Sequence, residues 1–160
     1  MPGAGKSTVG IVLAKLAGYN FIDTDILIQK KMGRTLQSIL DEKGYIYLRK
    51  IEEEIISSIK VNSCVISTGG SAIYSSISMQ RLADLGQIIY LKVDLETLET
   101  RVEAGPKRGI ASDPGETFEE IYLSRAPLYE KYAHHIVDTN SFGVDTVAQM
   151  ILDISQRPAT

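Results

Sequence analysis

A chain of 160 residues has room for one domain with a sizeable core. It is 44% hydrophobic and 23% charged, and its net charge of −3 with dispersed basic residues offers no field for nucleic acid or an anionic membrane. The single cysteine, Cys64, excludes an internal disulfide, and no apolar run approaches the roughly 18 residues of a membrane span. A cytoplasmic single-domain protein over 1–160, with no nucleic-acid or membrane partner, is the expectation.

The chain opens on Met1-Pro2-Gly3-Ala4-Gly5-Lys6-Ser7-Thr8, a phosphate cradle of the type G-x-x-x-x-G-K-[ST] without its first glycine. Gly3 and Gly5 allow positive φ and a close backbone approach to phosphate. The amides of this segment, Ala4 and Thr8 included, then turn toward a bound nucleotide, and the helix that follows adds its positive end. Lys6 reaches the β- and γ-phosphates, and the Ser7 hydroxyl holds Mg²⁺. A loop of this kind is slung from a buried strand, so about 8–12 further residues, an apolar β-branched run ending in glycine, are expected ahead of Met1.

From Ser7 to Ala17 the apolar residues Val9, Ile11, Val12, Leu13 and Leu16 keep a helical spacing, closed by Gly18. Phe21-Ile22 reads as a short strand ending in Asp23-Thr24-Asp25. Helices are predicted over Ile26 to Met32, from a Thr35 cap to Gly44, and over Tyr45 to Lys60. The next strand, Cys64 to Ser67, runs into Thr68-Gly69-Gly70-Ser71, and its cysteine reads as packing rather than as a reactive thiol.

A helix over Ser78 to Asp84 leads to the strand Gln87 to Val93, after which Asp94 caps a helix from Leu95 to Glu103. Residues 104–116 hold two prolines and three glycines, the composition of a mobile lid. Thr117 to Tyr132 is helical, although Pro127 should bend or break it. His135 to Asp138 is a last strand and Val144 to Ile154 a closing helix; residues 155–160 read as a disordered tail. The adjacent His134 and His135 read as structural.

Strands alternating with helices imply a parallel sheet covered on both faces, with ligands at the carboxyl ends of its strands. Asp23 and Asp25 follow one strand and Gly69 and Gly70 the next, which points to a site for two ligands. No N-K-x-D segment is present to read guanine, and the chain is short for a motor or transport ATPase. A phosphate loop, an Asp-x-Asp and a Gly/Pro/Arg loop fit a small-molecule kinase. Transfer of a phosphoryl group requires a metal, an orienter for the acceptor hydroxyl and cations for the equatorial charge. Asp23 and Asp25 alternate along an extended segment and so point opposite ways, one toward the metal and one toward the acceptor.

At this point the chain resembles the shikimate kinases. The matching segments are Gly3 to Thr8, Asp23-Thr24-Asp25, Arg49-Lys50-Ile51-Glu52-Glu53, Ser67-Thr68-Gly69-Gly70, Arg125-Ala126-Pro127-Leu128-Tyr129 and Val137-Asp138-Thr139. They occur in family order across nearly the whole chain. The resemblance implies an α/β P-loop kinase: a three-layer sandwich on a parallel sheet of order 2-3-1-4-5, with strand 1 missing from these residues, plus a lid. It implies transfer of phosphate from ATP, with Mg²⁺, to the 3-hydroxyl of shikimate in aromatic amino-acid biosynthesis.

By the same resemblance Asp25 binds the acceptor hydroxyls and is the base, with Lys6 and Arg108 as its catalytic companions. Asp23 and Ser7 serve the metal. Arg49 and Arg125 clamp the shikimate carboxylate beside Gly69 and Gly70, and Arg101 and Arg108 lie at the ATP phosphates. A monomer is expected. Three positions depart from the family pattern. Ser71 replaces a third glycine, Arg108-Gly109-Ile110 replaces the commoner Arg-Pro-Leu-Leu, and Phe142 stands where an arginine is usual and reads as helix packing. Two alternatives stand beside this reading: another small kinase of the gluconate-kinase kind, and a truncated nucleotide-binding module without catalysis.

Overall fold

The computed structural model describes residues 1–105 and 109–156. Helix α1 (Lys6–Ala17) is followed by β1 (Asn20–Asp23), α2 (Thr24–Met32), α3 (Leu36–Ser58) and β2 (Cys64–Ser67). A 3₁₀ turn (Ala72–Tyr74) leads to α4 (Ser76–Leu85), β3 (Ile89–Lys92), α5 (Leu95–Ala104), α6 (Phe118–Tyr132), β4 (His135–Asp138) and α7 (Val144–Ser155).

The strands form two parallel pairs. β1 lies on β2 with Asn20 opposite Cys64 and Asp23 opposite Ser67, and β3 lies on β4 with Ile89 opposite His135. These are the two outer pairings that the order 2-3-1-4-5 requires. The single continuous sheet is not observed among the described residues, where β2 and β3 are not hydrogen-bonded to each other. A cavity of about 570 Å³ lies between them, with Val65, Ile66, Tyr90 and Leu91 on its strand walls and Val9 and Ile151 among its helical lining. Parallel strands read as buried apolar runs because helices cover both faces; here α1 packs on β2 and on α7.

One core gathers Met1, Val9, Leu98, Ile121, Val137 and Ile151; a second, under α2 and α3, gathers Ile28, Ile39, Leu48, Ile51, Ile55 and Ala111. Ala111 belongs to the predicted lid, so that part of the loop docks against α3. A Cβ on Gly109 would sit 3.0 Å from the Gln37 nitrogen, which keeps the loop on the first turn of α3.

Local signals set most boundaries. Thr35, Ser75, Asp94 and Thr117 each accept an amide hydrogen bond as N-cap, and Thr117 with Glu120 completes a capping box. Gly44 breaks α3 as expected, with φ 78° and ψ 171°. Three expectations fail. The helix after β1 begins at Thr24 rather than Ile26, because Asp23 accepts the Asp25 and Ile26 amides and caps it early. Pro127 does not end α6, which continues to Tyr132. Leu123, whose carbonyl loses its partner to the proline, is 62% exposed, on the solvent side of the helix. Phe142 is 48% exposed and belongs to neither core, so it does not serve helix packing.

His134 accepts the Ile88 amide through Nδ1 at 2.9 Å, the structural part expected of it. Half-buried Cys64 has its thiol pKa raised by desolvation, which keeps it unreactive.

Candidate active site

The phosphate cradle has the shape its glycines permit. Gly3 and Gly5 have φ of 80° and 83°, and Ala4 is buried beneath them. Gly5 caps α1 without a side chain, so the free amides of the first turn face outward from the loop. Lys6 folds across the loop and donates to the Met1 carbonyl at 2.8 Å. Desolvation lowers its pKa, and the Asp25 and Glu52 carboxyls partly offset that. Arg101 reaches the same loop from α5, its Nη1 3.4 Å from the Gly3 carbonyl. Arg108 lies outside the described residues.

Beside the cradle, the Ser7 hydroxyl donates to Asp23 Oδ2 at 2.5 Å and lies 3.3 Å from the Ser67 hydroxyl. Asp23 Oδ1 is spent on capping α2. Asp23 thus serves two elements at once, a role its place between β1 and α2 makes possible. Both the Ser7 and the Asp23 groups are hard oxygen donors of the kind Mg²⁺ takes. Among the described residues no group of three or more His, Cys, Asp or Glu gathers as an all-protein metal cage.

Asp25 is the second residue of α2, not part of an extended segment, and its Oδ1 faces Gly69. Buried Thr24 fixes this approach by accepting the Gly69 amide at 3.0 Å. Gly69 and Gly70 are needed for closeness, since neither has a left-handed φ. A Cβ on Gly69 would sit 2.2 Å from Glu52 Oε1 and 2.8 Å from Asp25 Oδ1. One on Gly70 would sit 3.0 Å from Arg125 Nη1 and 3.2 Å from Pro2 of the cradle. The backbone therefore passes between two carboxyls on one side and a guanidinium on the other, against the phosphate loop.

The arginines converge as well. Arg49 from α3 and Arg125 from α6 both donate to the Ala111 carbonyl, at 3.0 and 2.7 Å. Tyr74 lies under both guanidinium groups, 4.0 Å from Arg49 and 5.4 Å from Arg125. Arg125 is 1% exposed, and among the described residues its Nε, like that of Arg49, has no hydrogen-bond partner. Forked guanidinium groups converging on one oxygen have the chemistry and geometry that suit a carboxylate. Tyr129, buried so that its pKa is raised, donates to the Gly70 carbonyl at 2.6 Å and keeps that strip of backbone in register.

Sequence reasoning missed Glu52 as a member of the site. It is 3% exposed and accepts the Ser71 hydroxyl at 2.5 Å. Its signal was legible: an acid at helical spacing between Leu48, Ile51 and Ile55 sits on a face that must be buried. The 3₁₀ turn that brings Tyr74 under the arginines carried no such signal.

A phosphate cradle whose lysine lies near carboxyl groups, next to two arginines converging on one oxygen, is the arrangement of a P-loop phosphotransferase. The family model described as "Shikimate kinase" matches residues 2–156. The shikimate kinase of Histophilus somni (strain 2336) is 36% identical over 156 residues, covering 95% of this chain and 89% of that protein. Shikimate kinase 2 of Enterobacter sp. (strain 638) is 33% identical, covering 93% and 88%. Among solved structures, shikimate kinase from Acinetobacter baumannii in complex with shikimate superposes with a TM-score of 0.82 at 30% identity, covering 96% of this chain and 87% of that one. The chain belongs to the shikimate kinase family.

Proposed function

We propose that the protein transfers the γ-phosphoryl group of ATP to the 3-hydroxyl of shikimate, with Mg²⁺. The convergence of Arg49 and Arg125 on one oxygen beside Asp25 and the phosphate loop carries this reading. The two guanidinium groups take the shikimate carboxylate in place of the Ala111 carbonyl, and the Gly70 amide adds a donor. The ring then extends toward Asp25, which accepts the 3-hydroxyl and takes its proton as that oxygen attacks the γ-phosphorus. The bond to the β-phosphate's bridging oxygen breaks, and ADP leaves.

Lys6 leaves the Met1 carbonyl for the β- and γ-phosphates, and the Gly3 to Thr8 amides hold the rest of the chain of phosphates. Ser7 and Asp23 would hold Mg²⁺, which neutralises charge on the β- and γ-oxygens. Arg101, already at the Gly3 carbonyl, faces the nucleotide side, and Arg108, outside the described residues, is assigned to the phosphates by the family resemblance alone. Phosphoryl transfer leaves the protein little covalent chemistry, so the rate comes from positioning and from these cations.

Steady-state ADP release with ATP and Mg²⁺, in the presence of shikimate, of gluconate or of neither, tests the proposal. Release that depends on shikimate alone is expected. Release driven by gluconate, or unchanged by either acid, would overturn it.

A further inference from the structure

Tyr74 touches the site, yet the reaction described above gives it no task. It closes the 3₁₀ turn that follows Gly69 and Gly70, and that turn is fixed on both sides. Ala72 and Ile73 are buried before it, and Ser75 after it caps α4. The ring centre lies 4.0 Å from the Arg49 guanidinium and 5.4 Å from that of Arg125, so a single ring meets both arms of the clamp. The Tyr74 hydroxyl lies 3.1 Å from that of Ser124, which ties the turn to α6 one residue before Arg125.

Tyr45 is a second ring on Arg49, at 4.8 Å. Its hydroxyl is hydrogen-bonded to the Asp113 side chain, in the same loop as Ala111. The two rings therefore have different anchors. A carboxylate that takes the place of Ala111 disturbs the anchor of Tyr45 and leaves that of Tyr74 on α6.

Arginine has several rotatable bonds, and ordering such a side chain on binding costs affinity. Both Nε groups lack a hydrogen-bond partner among the described residues, and both forks hold Ala111 through Nη2. The bond to Ala111 is the one that a substrate carboxylate replaces. A ring against the guanidinium face attracts the cation without occupying an N–H, because those donors lie in the guanidinium plane.

We propose that Tyr74 is a positioning residue for the acceptor's carboxylate: its ring holds the Arg49 and Arg125 forks in place before the substrate arrives. The inference rests on reading the two arginines as the carboxylate clamp. Ordering the clamp in advance raises affinity and leaves the chemical step as it was.

Steady-state kinetics test the brace. Tyr74→Leu should raise the shikimate KM about 3- to 10-fold, with kcat and the ATP KM changed less than about twofold. Tyr74→Phe keeps the ring and should stay within about twofold of the unaltered chain. In an Arg49→Ala background Tyr74→Leu should have a much smaller effect, since only the more distant Arg125 remains. The brace is overturned by an unchanged shikimate KM in Tyr74→Leu, or by a loss confined to kcat. It is equally overturned if Tyr74→Phe is as impaired as Tyr74→Leu, or if the fold-change is the same with and without Arg49.

Proton–nitrogen NMR supplies an arm that needs no turnover. The Arg49 Nε–H resonance, identified by its loss in Arg49→Lys, should move in Tyr74→Leu and hold its place in Tyr74→Phe, because ring current acts on protons near an aromatic face. An unmoved resonance in Tyr74→Leu would overturn the brace. Should Tyr74→Leu fail to fold by circular dichroism, Tyr74→Gln takes its place in both arms, since the position is 37% exposed and accepts a polar side chain. A resonance that moves as expected, in a chain that does not phosphorylate shikimate, would keep the brace and count instead against shikimate as acceptor.

Discussion

Arg49 and Arg125 come from different helices, α3 and α6, and donate to the same oxygen, the carbonyl of Ala111. A neutral carbonyl is a weak partner for two guanidinium groups, and a carboxylate is a strong one. A carboxylate ligand should therefore displace Ala111 and its loop from the clamp. Fluorescence from a probe attached at Ser112 should respond to shikimate, and not to a ring lacking the carboxylate. An equal response to both ligands would show that the clamp does not read the carboxylate.

Removing either arginine should weaken shikimate and spare ATP. Hydrogen bonds to charged groups contribute about 1.5–3 kcal/mol, so Arg49→Ala should raise the shikimate KM roughly 10- to 100-fold. Arg125→Lys keeps the charge but loses the fork, and should raise that KM as well. Arg49 is the cleaner probe, because Arg125 is 1% exposed and its truncation also opens the core. A rise confined to the ATP KM would move the pair to the phosphate side.

Asp25→Asn should retain nucleotide binding and lower kcat by about 10²–10⁴, the usual contribution of a positioned base. Titration calorimetry with ADP separates this from a folding defect. Turnover near that of the unaltered chain would remove Asp25 from the reaction.

The two glycines should fail differently. Alanine at Gly69 presses on Glu52 and Asp25, whereas alanine at Gly70 presses on Arg125 and Pro2. Gly69→Ala should therefore act mainly on kcat, and Gly70→Ala mainly on the shikimate KM. The opposite pattern would mean that the carboxyls and the arginine are assigned to the wrong ends of the substrate.

The cavity between β2 and β3 is walled by two strand edges that face each other without a strand between them among the described residues. Fusing a β-branched run of about five or six residues, ending in glycine, ahead of Met1 should fill it, since that is an average strand length. Each kcal/mol gained raises Tm by about 2–4 °C at this size, and the amides of Cys64 to Ser67 and Ile89 to Lys92 should gain exchange protection. A fusion that leaves both Tm and protection unchanged would show that the space is not a strand position.

Much of this was legible in the sequence where the signal is local. Asp94 and Thr35 announced their helices by capping, Gly44 its break, and Gly3 to Ser7 the phosphate loop, because each of these depends on a few adjacent residues. What failed depended on distant partners. Asp25 was placed on an extended segment because nothing nearby says that Asp23 will cap so early. Pro127 was expected to bend or break α6, and it does not end the helix; the exposure of Leu123, which lowers the cost, is a tertiary property. The Arg49 and Arg125 clamp was suggested by family resemblance, and no spacing in the chain brings positions so far apart to one oxygen. Glu52 carries a signal of its own, an acid on the apolar face of a helix, which motif spacing does not bring out.

The most direct test of the central claim is the identity of the product. Phosphorus-31 and proton NMR of a reaction containing the protein, ATP, Mg²⁺ and shikimate should show ADP and shikimate 3-phosphate forming one for one, with the phosphate coupled to the proton on carbon 3. ADP appearing with inorganic phosphate and unaltered shikimate, or phosphate on another hydroxyl, would contradict the account.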